Sequence, residues 1–281
     1  MSTQGHKHDR EQVPQGSREQ PGAILSDAAR ILPARKVPSA WRQHAPFAFW
    51  LIGAHRPARL VELGTHWGFS YFCFCQQAKS LRLPIRCAAV DTWAGDEHAG
   101  SYGEEVFGSV RSYNDLHFRE FSSLMRMTFD EALPHFGDGS IDLLHIDGRH
   151  YYDDVKHDFE NWTAKLSRKA IVLFHDTQVT QRGFGVHRYW NELKQRYPHF
   201  EFFHGYGLGV LGVGDDAADF PLLRIGNQSE AANATRRHFE TYGRLLDGED
   251  VDGRRLPRNI ACPCGSGRRL KYCHGSLPVA S

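Results

Sequence analysis

The stretch Arg59-Leu60-Val61-Glu62-Leu63-Gly64-Thr65-His66-Trp67-Gly68-Phe69-Ser70 decides the fold. A short apolar run leads to an acidic residue and then to a turn with two glycines, and a helix-like segment follows at residues 69–78. Strand, glycine turn and helix N-terminus in this order are how α/β folds present backbone N–H groups to a nucleotide. The spacing Gly-x-x-x-Gly lacks the third glycine of the dinucleotide-binding fingerprint, so the turn alone does not identify its ligand.

Strand and helix candidates alternate on the C-terminal side of this turn. The apolar patterns predict helices at residues 69–78, 104–121, 129–136, 151–166 and 184–197, and strands at 59–62, 85–91, 124–128, 141–147, 170–175, 200–204 and 208–213. Repeated β-α units predict an α/β fold with a doubly wound, mostly parallel, Rossmann-like sheet. Helices between residues 21 and 53 are expected to cap that sheet; a lid over the substrate is the alternative.

Length and composition predict four regions. The chain has 281 residues and a formal charge of +1, so nothing in the overall charge points to a nucleic-acid partner. We expect a disordered N-terminus (1–20), a catalytic domain (21–215), a helical linker between independently folded units (216–259) and a metal module (260–276). The N-terminus lacks the apolar core of a signal peptide, and no apolar run is long enough to span a bilayer, so we expect a cytoplasmic protein.

Polar residues end the predicted strands where parallel sheets bind their ligands. Asp91 ends the second strand, where an acid can accept hydrogen bonds from both hydroxyls of a ribose. NAD enzymes and S-adenosylmethionine (AdoMet) methyltransferases share this arrangement. Glu62, which could pair with an ammonium group, and the missing third glycine favour AdoMet, which has no phosphate.

The sequence resembles a known family at these positions. Residues 61–70 resemble the E-x-G-x-x-x-G-x-S motif of class I AdoMet-dependent methyltransferases. The segments Val90-Asp91-Thr92-Trp93, Leu144-His145-Ile146-Asp147-Gly148-Arg149-His150 and Leu173-Phe174-His175-Asp176-Thr177 are similar to a subgroup associated with glycan biosynthesis. The resemblance covers roughly residues 40–215. It implies AdoMet as the cofactor, with contacts from Glu62, Gly64, Thr65, Gly68, Ser70, Asp91, Thr92, Trp93, Thr128 and Phe129. For Trp93, a place in the core is the alternative.

The ends of the fourth and fifth strands predict the reaction site. In-line methyl transfer to an alcohol needs alignment and a base. We expect His150 to be that base, with Asp147 and His175 as further catalytic candidates. Asp147 and Asp176 could instead hold Mg²⁺ or another divalent cation, which would lower the pKa of the acceptor hydroxyl. Loop 96–103 is expected to close over the acceptor, or else to be a surface crossover.

We therefore expect O-methylation of a sugar or glycan precursor. Three alternatives stay open. The first is methylation of a small metabolite or a protein. The second is a catalytically degenerate nucleotide-binding adaptor that acts through its tail. The third is an NAD-dependent enzyme.

The tail carries a zinc-ligand pattern. Three thiolates and one imidazole suit tetrahedral Zn²⁺, and about twenty residues need a metal to fold. The ligands are Cys262, Cys264, Cys273 and His274. The pattern resembles the SEC-C motif of the SecA translocation ATPase, which implies a protein or ribosome partner rather than catalysis.

Overall fold

The computed structural model describes residues 27–97 and 100–276. The predicted disorder at residues 1–20 lies outside them. The strands are β1 (Arg59–Leu63), β2 (Arg86–Asp91), β3 (Gly95–Asp96), β4 (Gly100–Ser101), β5 (Ser122–Arg126), β6 (Ile141–Ile146), β7 (Leu166–His175), β8 (His199–Phe202) and β9 (Leu208–Gly212). The α-helices are α1 (Ala45–His55), α2 (Phe69–Ser80), α3 (Glu104–His117), α4 (Phe129–Ala132), α5 (Tyr152–Trp162), α6 (Val186–Leu193), α7 (Pro221–Arg224) and α8 (Glu230–Leu246).

The main sheet has the order β5-β2-β1-β6-β7-β9-β8. Neighbouring strands from β5 to β7 are parallel, and β9 is antiparallel to both β7 and β8. The chain builds outward from β1 to β5 and then returns to place β6 on the other side of β1. This reversal opens a crevice beyond the carboxyl ends of β1 and β6. The predicted doubly wound, mostly parallel fold is confirmed.

Both faces of the sheet are covered by helices. One core contains side chains of α1, α2, α3 and α8, and the other contains side chains of α4, α5 and α6. Successive strand residues point to opposite faces, so Leu60 lies in the first core and Val61 in the second. Residues Phe47, Phe49, Leu51 and Ile52 of α1 are fully buried, as expected for a helix that caps the sheet. None of the helices within the described ranges could cross a membrane.

Some predicted strand and helix boundaries were wrong, because local hydrogen bonds can end an element before its apolar pattern ends. The predicted strand 124–128 forms at Ser122–Arg126 instead. Thr128 leaves the strand and caps α4, where it exchanges hydrogen bonds with Glu131 in a capping box. The predicted helix 151–166 ends at Trp162, and β7 already begins at Leu166.

The prediction that residues 216–259 link two independent units was wrong. Phe239 of α8 is fully buried in the main core. Arg236 donates to the carbonyl of Glu201 at 2.7 Å, and a Cβ on Gly243 would lie 2.3 Å from the carbonyl oxygen of Gln43. The apolar face of this helix therefore belongs to the domain.

The tail packs against the last turn of α8. Leu245 and Leu270 form a small core with the three tail cysteines, and Leu32, Tyr242 and Leu256 pack against it. On its other side the same turn holds the N-terminal segment, because Arg42 donates to the carbonyl of Leu246 at 3.0 Å and forms an ion pair with Asp247 at 3.0 Å. The last turn of α8 therefore contacts both the tail and the N-terminal segment.

Candidate active site

The glycine turn after β1 lies directly against the end of β6. Gly64 has φ +86°, and a Cβ there would lie 2.1 Å from the carbonyl oxygen of Asp147. Gly68, with φ +78°, is the N-cap of α2. Only glycine combines this left-handed backbone with such a close approach, so Gly64 brings β1 and β6 together at the crevice.

Asp91 organises the turn. Its Oδ2 accepts hydrogen bonds from the backbone N–H groups of Thr65 (2.8 Å) and His66 (2.9 Å), and its Oδ1 accepts from Trp93 N–H (2.7 Å). A carboxylate offers about four acceptor sites, so about one is left for a hydroxyl donor. The end of β2 thereby holds the backbone that would contact a cofactor.

A cavity of about 740 Å³ opens between the glycine turn and the ends of β6 and β7. Most of the predicted site residues line it, namely Gly64, Thr65, Ser70, Asp91, Thr92, Thr128, Phe129, Asp147, His150, His175 and Asp176. Three predicted cofactor contacts lie behind its wall. Trp93 is fully buried, donates its Nε1–H to the carbonyl of His66 (3.0 Å) and packs on Phe107. This geometry favours the core alternative for Trp93.

Gly68 and Glu62 are the other two residues behind the wall. A Cβ on Gly68 would collide with the ring of Phe72, so this glycine serves packing beneath the turn. Glu62 is fully buried and accepts a hydrogen bond from His145 Nδ1 at 2.8 Å. Burial raises the pKa of Glu62, and the hydrogen bond from His145 partly offsets that rise.

Four titratable side chains converge at the other end of the cavity. His150 Nε2 lies 3.0 Å from Asp176 Oδ2 and 3.5 Å from Asp147 Oδ1. His175 Nδ1 lies 3.3 Å from the same Asp147 oxygen, while its Nε2 donates to the carbonyl of Gly205 at 3.2 Å. Phe184 stacks on His150, with ring centroids 4.5 Å apart. The predicted reaction-site residues are therefore neighbours in space.

The cluster stabilises positive charge. Burial alone would lower the pKa of His150, but its hydrogen bonds with Asp147 and Asp176 outweigh burial and raise the pKa to about 10. Burial likewise opposes protonation of His175, yet the charges of Asp176 and Asp147 raise its pKa to about 9. Although burial acts to raise it, the pKa of Asp147 is held well below its ordinary value, mainly by His175 and His150.

This electrostatic bias suits a divalent cation. One ligand atom from each of Asp147, His175 and Asp176 lies within 4.8 Å of the others. Asp176 has φ +63°, a conformation that costs energy for a residue other than glycine and is common at functional sites. Two carboxylates suit Mg²⁺ or Mn²⁺, and an imidazole beside them favours a transition-metal ion over Mg²⁺. His175, predicted as catalytic, thus joins the predicted metal pair.

Residues outside the predicted set complete the cavity. Residues 38–41, including Trp41, form one wall, and Val179, Gln181, Arg182, Phe184 and Tyr206 form another. Trp41 donates its Nε1–H to His145 Nε2 at 3.1 Å. The sequence carried a signal for His145, since predicted strands 59–62 and 141–147 could bring it beside Glu62. It carried none for Trp41, because an aromatic residue before a helix is typical of ordinary core.

The hairpin β3–β4 borders the cavity in the predicted loop 96–103. Tyr102 stacks on His66 with ring centroids 4.6 Å apart. Glu97 accepts a hydrogen bond from the hydroxyl of Tyr151 at 3.0 Å and lies 3.4 Å from Arg149 Nη2. The hairpin is thereby joined to the loop that follows β6, although residues 98–99 lie outside the described part.

The four tail ligands converge as a metal site requires. Cys262 Sγ and Cys273 Sγ each lie 3.4 Å from His274 Nδ1, and the sulfurs of Cys264 and Cys273 are 3.6 Å apart. Tetrahedral zinc would place such ligand atoms about 3.5–3.8 Å apart. Burial and Arg268 lower the pKa of His274 to about 4, so the imidazole is neutral, which is the form that binds metals. The donor set and spacing fit zinc.

Residues 61–177 match the Methyltransf_24 family, described as "Methyltransferase domain". This part of the chain is therefore similar to a methyltransferase domain. Residues 258–276 match the SEC-C motif, so the predicted C-terminal motif is confirmed as well.

The relatives match very different shares of the chain. An uncharacterized protein, y4gI, of Sinorhizobium fredii is 52% identical over 207 residues, which are 73% of this chain and 23% of that protein. The chain thus spans less than a quarter of that relative's length. The SecA protein translocase subunit of Nitrosococcus oceani is 62% identical over 26 residues, covering 9% of this chain and 3% of SecA.

Solved methyltransferase structures resemble the chain distantly. The O-methyltransferase TomG of Streptomyces achromogenes, involved in tomaymycin synthesis and in complex with SAM, is 17% identical, with coverage of 68% of this chain and 89% of TomG and a TM-score of 0.47. The SAH-bound methyltransferase PaMTH1 of Podospora anserina is 11% identical, with coverage of 73% and 99% and a TM-score of 0.48. At this distance neither structure bears on the substrate.

Proposed function

We propose that the chain is an AdoMet-dependent O-methyltransferase of a sugar or glycan precursor. The observation that carries this proposal is that one cavity joins the glycine turn and Asp91 to the cluster of Asp147, His150, His175 and Asp176. The first part suits an adenosine cofactor, and the second suits activation of a hydroxyl.

A buried polar atom in the turn supports AdoMet as the cofactor. Thr65, which lines the cavity, has a buried Oγ1 with no hydrogen-bond partner among the described residues. Buried polar groups are normally satisfied, so a ligand rich in donors and acceptors suits this place. The residues that would hold AdoMet are those of the cavity's turn side, namely Gly64, Thr65, Ser70, Asp91, Thr92, Thr128 and Phe129.

The reaction needs a hydroxyl in line with the sulfonium methyl group and a place for its proton. His150 is the proposed base, because its Nε2 lies 3.0 Å from Asp176 and 3.5 Å from Asp147. These two carboxylates raise the pKa of His150 to about 10, so it could accept the hydroxyl proton only when a bound cation engages them instead. The C–S bond breaks as the C–O bond forms, and the hydroxyl proton passes to His150. Asp147, His175 and Asp176 would hold a divalent cation, which when bound lowers the pKa of the hydroxyl.

The acceptor side of the cavity supports a polyhydroxylated substrate. Tyr206 lines the cavity and is 59% exposed. It has φ +70° and lies between Gly205 and Gly207 on a turn that also accepts hydrogen bonds from His175 and from Asp176 N–H. An exposed aromatic ring beside polar groups suits a sugar ring, which presents both apolar C–H faces and hydroxyls.

The SEC-C module is proposed to bind zinc and to contact a protein or ribosome partner. The ligand geometry supports zinc, and the partner follows from the resemblance to SecA alone. Within residues 253–276, Arg254, Arg255, Arg258, Arg268, Arg269 and Lys271 are basic and no acidic residue occurs, so an acidic surface would be complementary.

Transfer of a tritiated methyl group tests the proposal. The purified chain would be incubated with labelled AdoMet, Mg²⁺ or Mn²⁺ and an extract of its source cells, separated into protein, glycan and small-molecule fractions. We expect label in saccharides, loss of labelling with a chelator of divalent cations, and loss in Asp176→Asn. Label in the protein fraction would favour the protein alternative. AdoMet binding without transfer to any fraction would favour the adaptor.

A further inference from the structure

Two arginine side chains line the cavity beside the reaction cluster. Arg149 follows β6, and Arg182 lies between β7 and α6. Within the described ranges, no other lysine or arginine lines the cavity. A guanidinium group carries a permanent positive charge, so these two residues bring fixed positive charge to this part of the cavity.

Contacts around Tyr151 bring the two arginine segments together. The Arg149 guanidinium lies 5.6 Å from the centroid of the Tyr151 ring. A Cβ on Gly183, which follows Arg182, would lie 3.1 Å from Cε1 of the same ring. Arg149 and the backbone next to Arg182 therefore contact one aromatic side chain, so the two arginines lie on neighbouring parts of the cavity wall.

The same segments adjoin the proposed base. The N–H of Gly185 donates to the carbonyl of His150 at 2.7 Å, and Phe184 stacks on the His150 ring. The residues proposed to hold AdoMet come from the glycine turn and from the ends of β2 and β5. In the sheet order β5-β2-β1-β6-β7, the two arginines follow the last two strands instead. They are therefore placed to contact the acceptor rather than the cofactor.

The acidic side chains of the reaction cluster lie deeper than the arginines. The side chains of Asp147 and Asp176 are 20% and 10% exposed. By contrast, the side chain of Arg149 is 53% exposed, and Arg182 is exposed as well. A hydroxyl that reaches the two aspartates would therefore leave the outer part of the same acceptor near the arginines. A negative group on that outer part would be stabilised by their charge.

Arg149 has protein partners that an acceptor group could replace at little cost. Its Nη2 lies 3.4 Å from Glu97, and its Nε lies 3.4 Å from Asp154. Glu97 is exposed and Asp154 is partly exposed, and ion pairs of this kind contribute about 0–1 kcal/mol. A phosphate or carboxylate can bind a guanidinium through two parallel hydrogen bonds, which form a stronger interaction than such a pair.

We propose that Arg149 and Arg182 determine acceptor specificity by binding a phosphate or carboxylate group that lies beside the methylated hydroxyl. Sugars linked to phosphate and sugar acids are glycan precursors that carry such a group. The inference rests on the proposed methyltransferase function and adds the charge of its acceptor. A neutral sugar would bind less tightly, because it leaves both arginines without this anionic partner.

The charge of the labelled product provides the first test. The wild-type full chain would transfer a tritiated methyl group to the saccharide fraction of the cell extract, and the products would be separated by anion exchange. We expect the labelled saccharides to be retained on the column. Loss of retention after treatment with phosphatase and phosphodiesterase would identify a phosphate, whereas retention after both enzymes would identify a carboxylate.

Arginine variants test whether these residues bind that group. Arg149→Gln and Arg182→Gln would be assayed with the retained saccharides as acceptor. We expect each variant to raise the KM for these saccharides about tenfold, as the loss of a hydrogen bond between charged groups does, while kcat changes much less. Arg182→Lys should recover part of the loss, because it restores the charge. Calorimetry should show wild-type affinity for S-adenosylhomocysteine in all three variants.

Arg188→Gln is the matched control. Arg188 is exposed on α6, and its guanidinium lies 4.7 Å from the centroid of the Tyr152 ring, much as Arg149 lies over Tyr151. Arg188 is outside the residues that line the cavity, so its KM should equal that of wild type. Melting temperatures show that each variant is folded.

The outcomes separate this inference from the function on which it rests. Labelled saccharides that pass through the column unretained would support the proposed function and overturn the inference. A loss of S-adenosylhomocysteine affinity that matches the rise in KM would assign the arginines to the carboxylate of the cofactor, and the inference would be wrong. Equal KM values in Arg149→Gln, Arg182→Gln and Arg188→Gln would also overturn it. If wild type transfers no methyl group to saccharides, the proposed function fails and the inference fails with it.

Discussion

Gly64→Ala tests how closely the glycine turn must approach β6. A non-glycine residue in the left-handed region costs about 1–2 kcal/mol. The new Cβ would also lie 2.1 Å from the carbonyl oxygen of Asp147, and relieving such an overlap costs about 1–3 kcal/mol more. We expect Gly64→Ala to lower the free energy of unfolding by about 2–5 kcal/mol and to abolish AdoMet binding, because the turn must move away from Asp147.

Gly139→Ala is the matched control for backbone strain. Gly139 has φ +66° and no atom within 4 Å of its ideal Cβ, so only the left-handed penalty of about 1–2 kcal/mol applies. The effect of alanine on the unfolded chain is common to both variants and cancels in their difference. Urea unfolding measures that difference, expected at about 1–3 kcal/mol. Equal destabilisation of the two variants would refute the argument from close approach.

Three further predictions concern other parts of the molecule. Burial raises the pKa of Asp158 to about 7, above its unfolded value, so its contribution to stability is present below about pH 4 and is lost as the pH rises through 7. Asp158→Asn should therefore stabilise the protein increasingly between pH 5 and pH 8, by up to about 4 kcal/mol. Thermal melts that show no growth of this gain with pH would contradict the prediction. Zinc removal by a chelator should lower the melting temperature and weaken S-adenosylhomocysteine binding, because the last turn of α8 contacts both the tail and Arg42 beside Trp41. Unchanged affinity after complete zinc loss would show that the cavity wall keeps its structure without the tail. Asp176→Asn should weaken Mn²⁺ binding at the cavity, as measured by electron paramagnetic resonance. The control Asp130→Asn, at an exposed carboxylate, should leave Mn²⁺ binding unchanged. Equal Mn²⁺ binding by the two variants would show that Asp176 is not a ligand.

The sequence predicted best the features that short spacing encodes. The apolar runs of β1, β2, β6 and β7 are continuous because both faces of the sheet are covered, so their order and the acids at their ends could be read directly. Asp147, His150, His175 and Asp176 follow adjacent strands, which is why their convergence could be predicted. The tail ligands lie within thirteen positions of one another, and their chemistry allows few alternatives.

The sequence predicted poorly what depends on pairing across long separations. Glu62 was expected to face the cofactor, but its register partner His145 holds it one layer behind the cavity wall. Residues 216–259 are mostly polar, which is typical of a linker, yet α8 buries one stripe that includes Phe239 and Arg236. The contribution of Trp41 depends on a hydrogen bond between residues 104 positions apart, which no local pattern indicates.

The most direct test of the central claim is calorimetric titration of AdoMet into the purified full chain, with Asp91→Ala measured alongside. The account predicts one saturable site per chain in the wild type. It predicts a large loss of affinity in Asp91→Ala, because Asp91 holds the backbone of Thr65 and His66. No AdoMet binding by folded, zinc-loaded wild-type protein, or equal binding by both proteins, would contradict it.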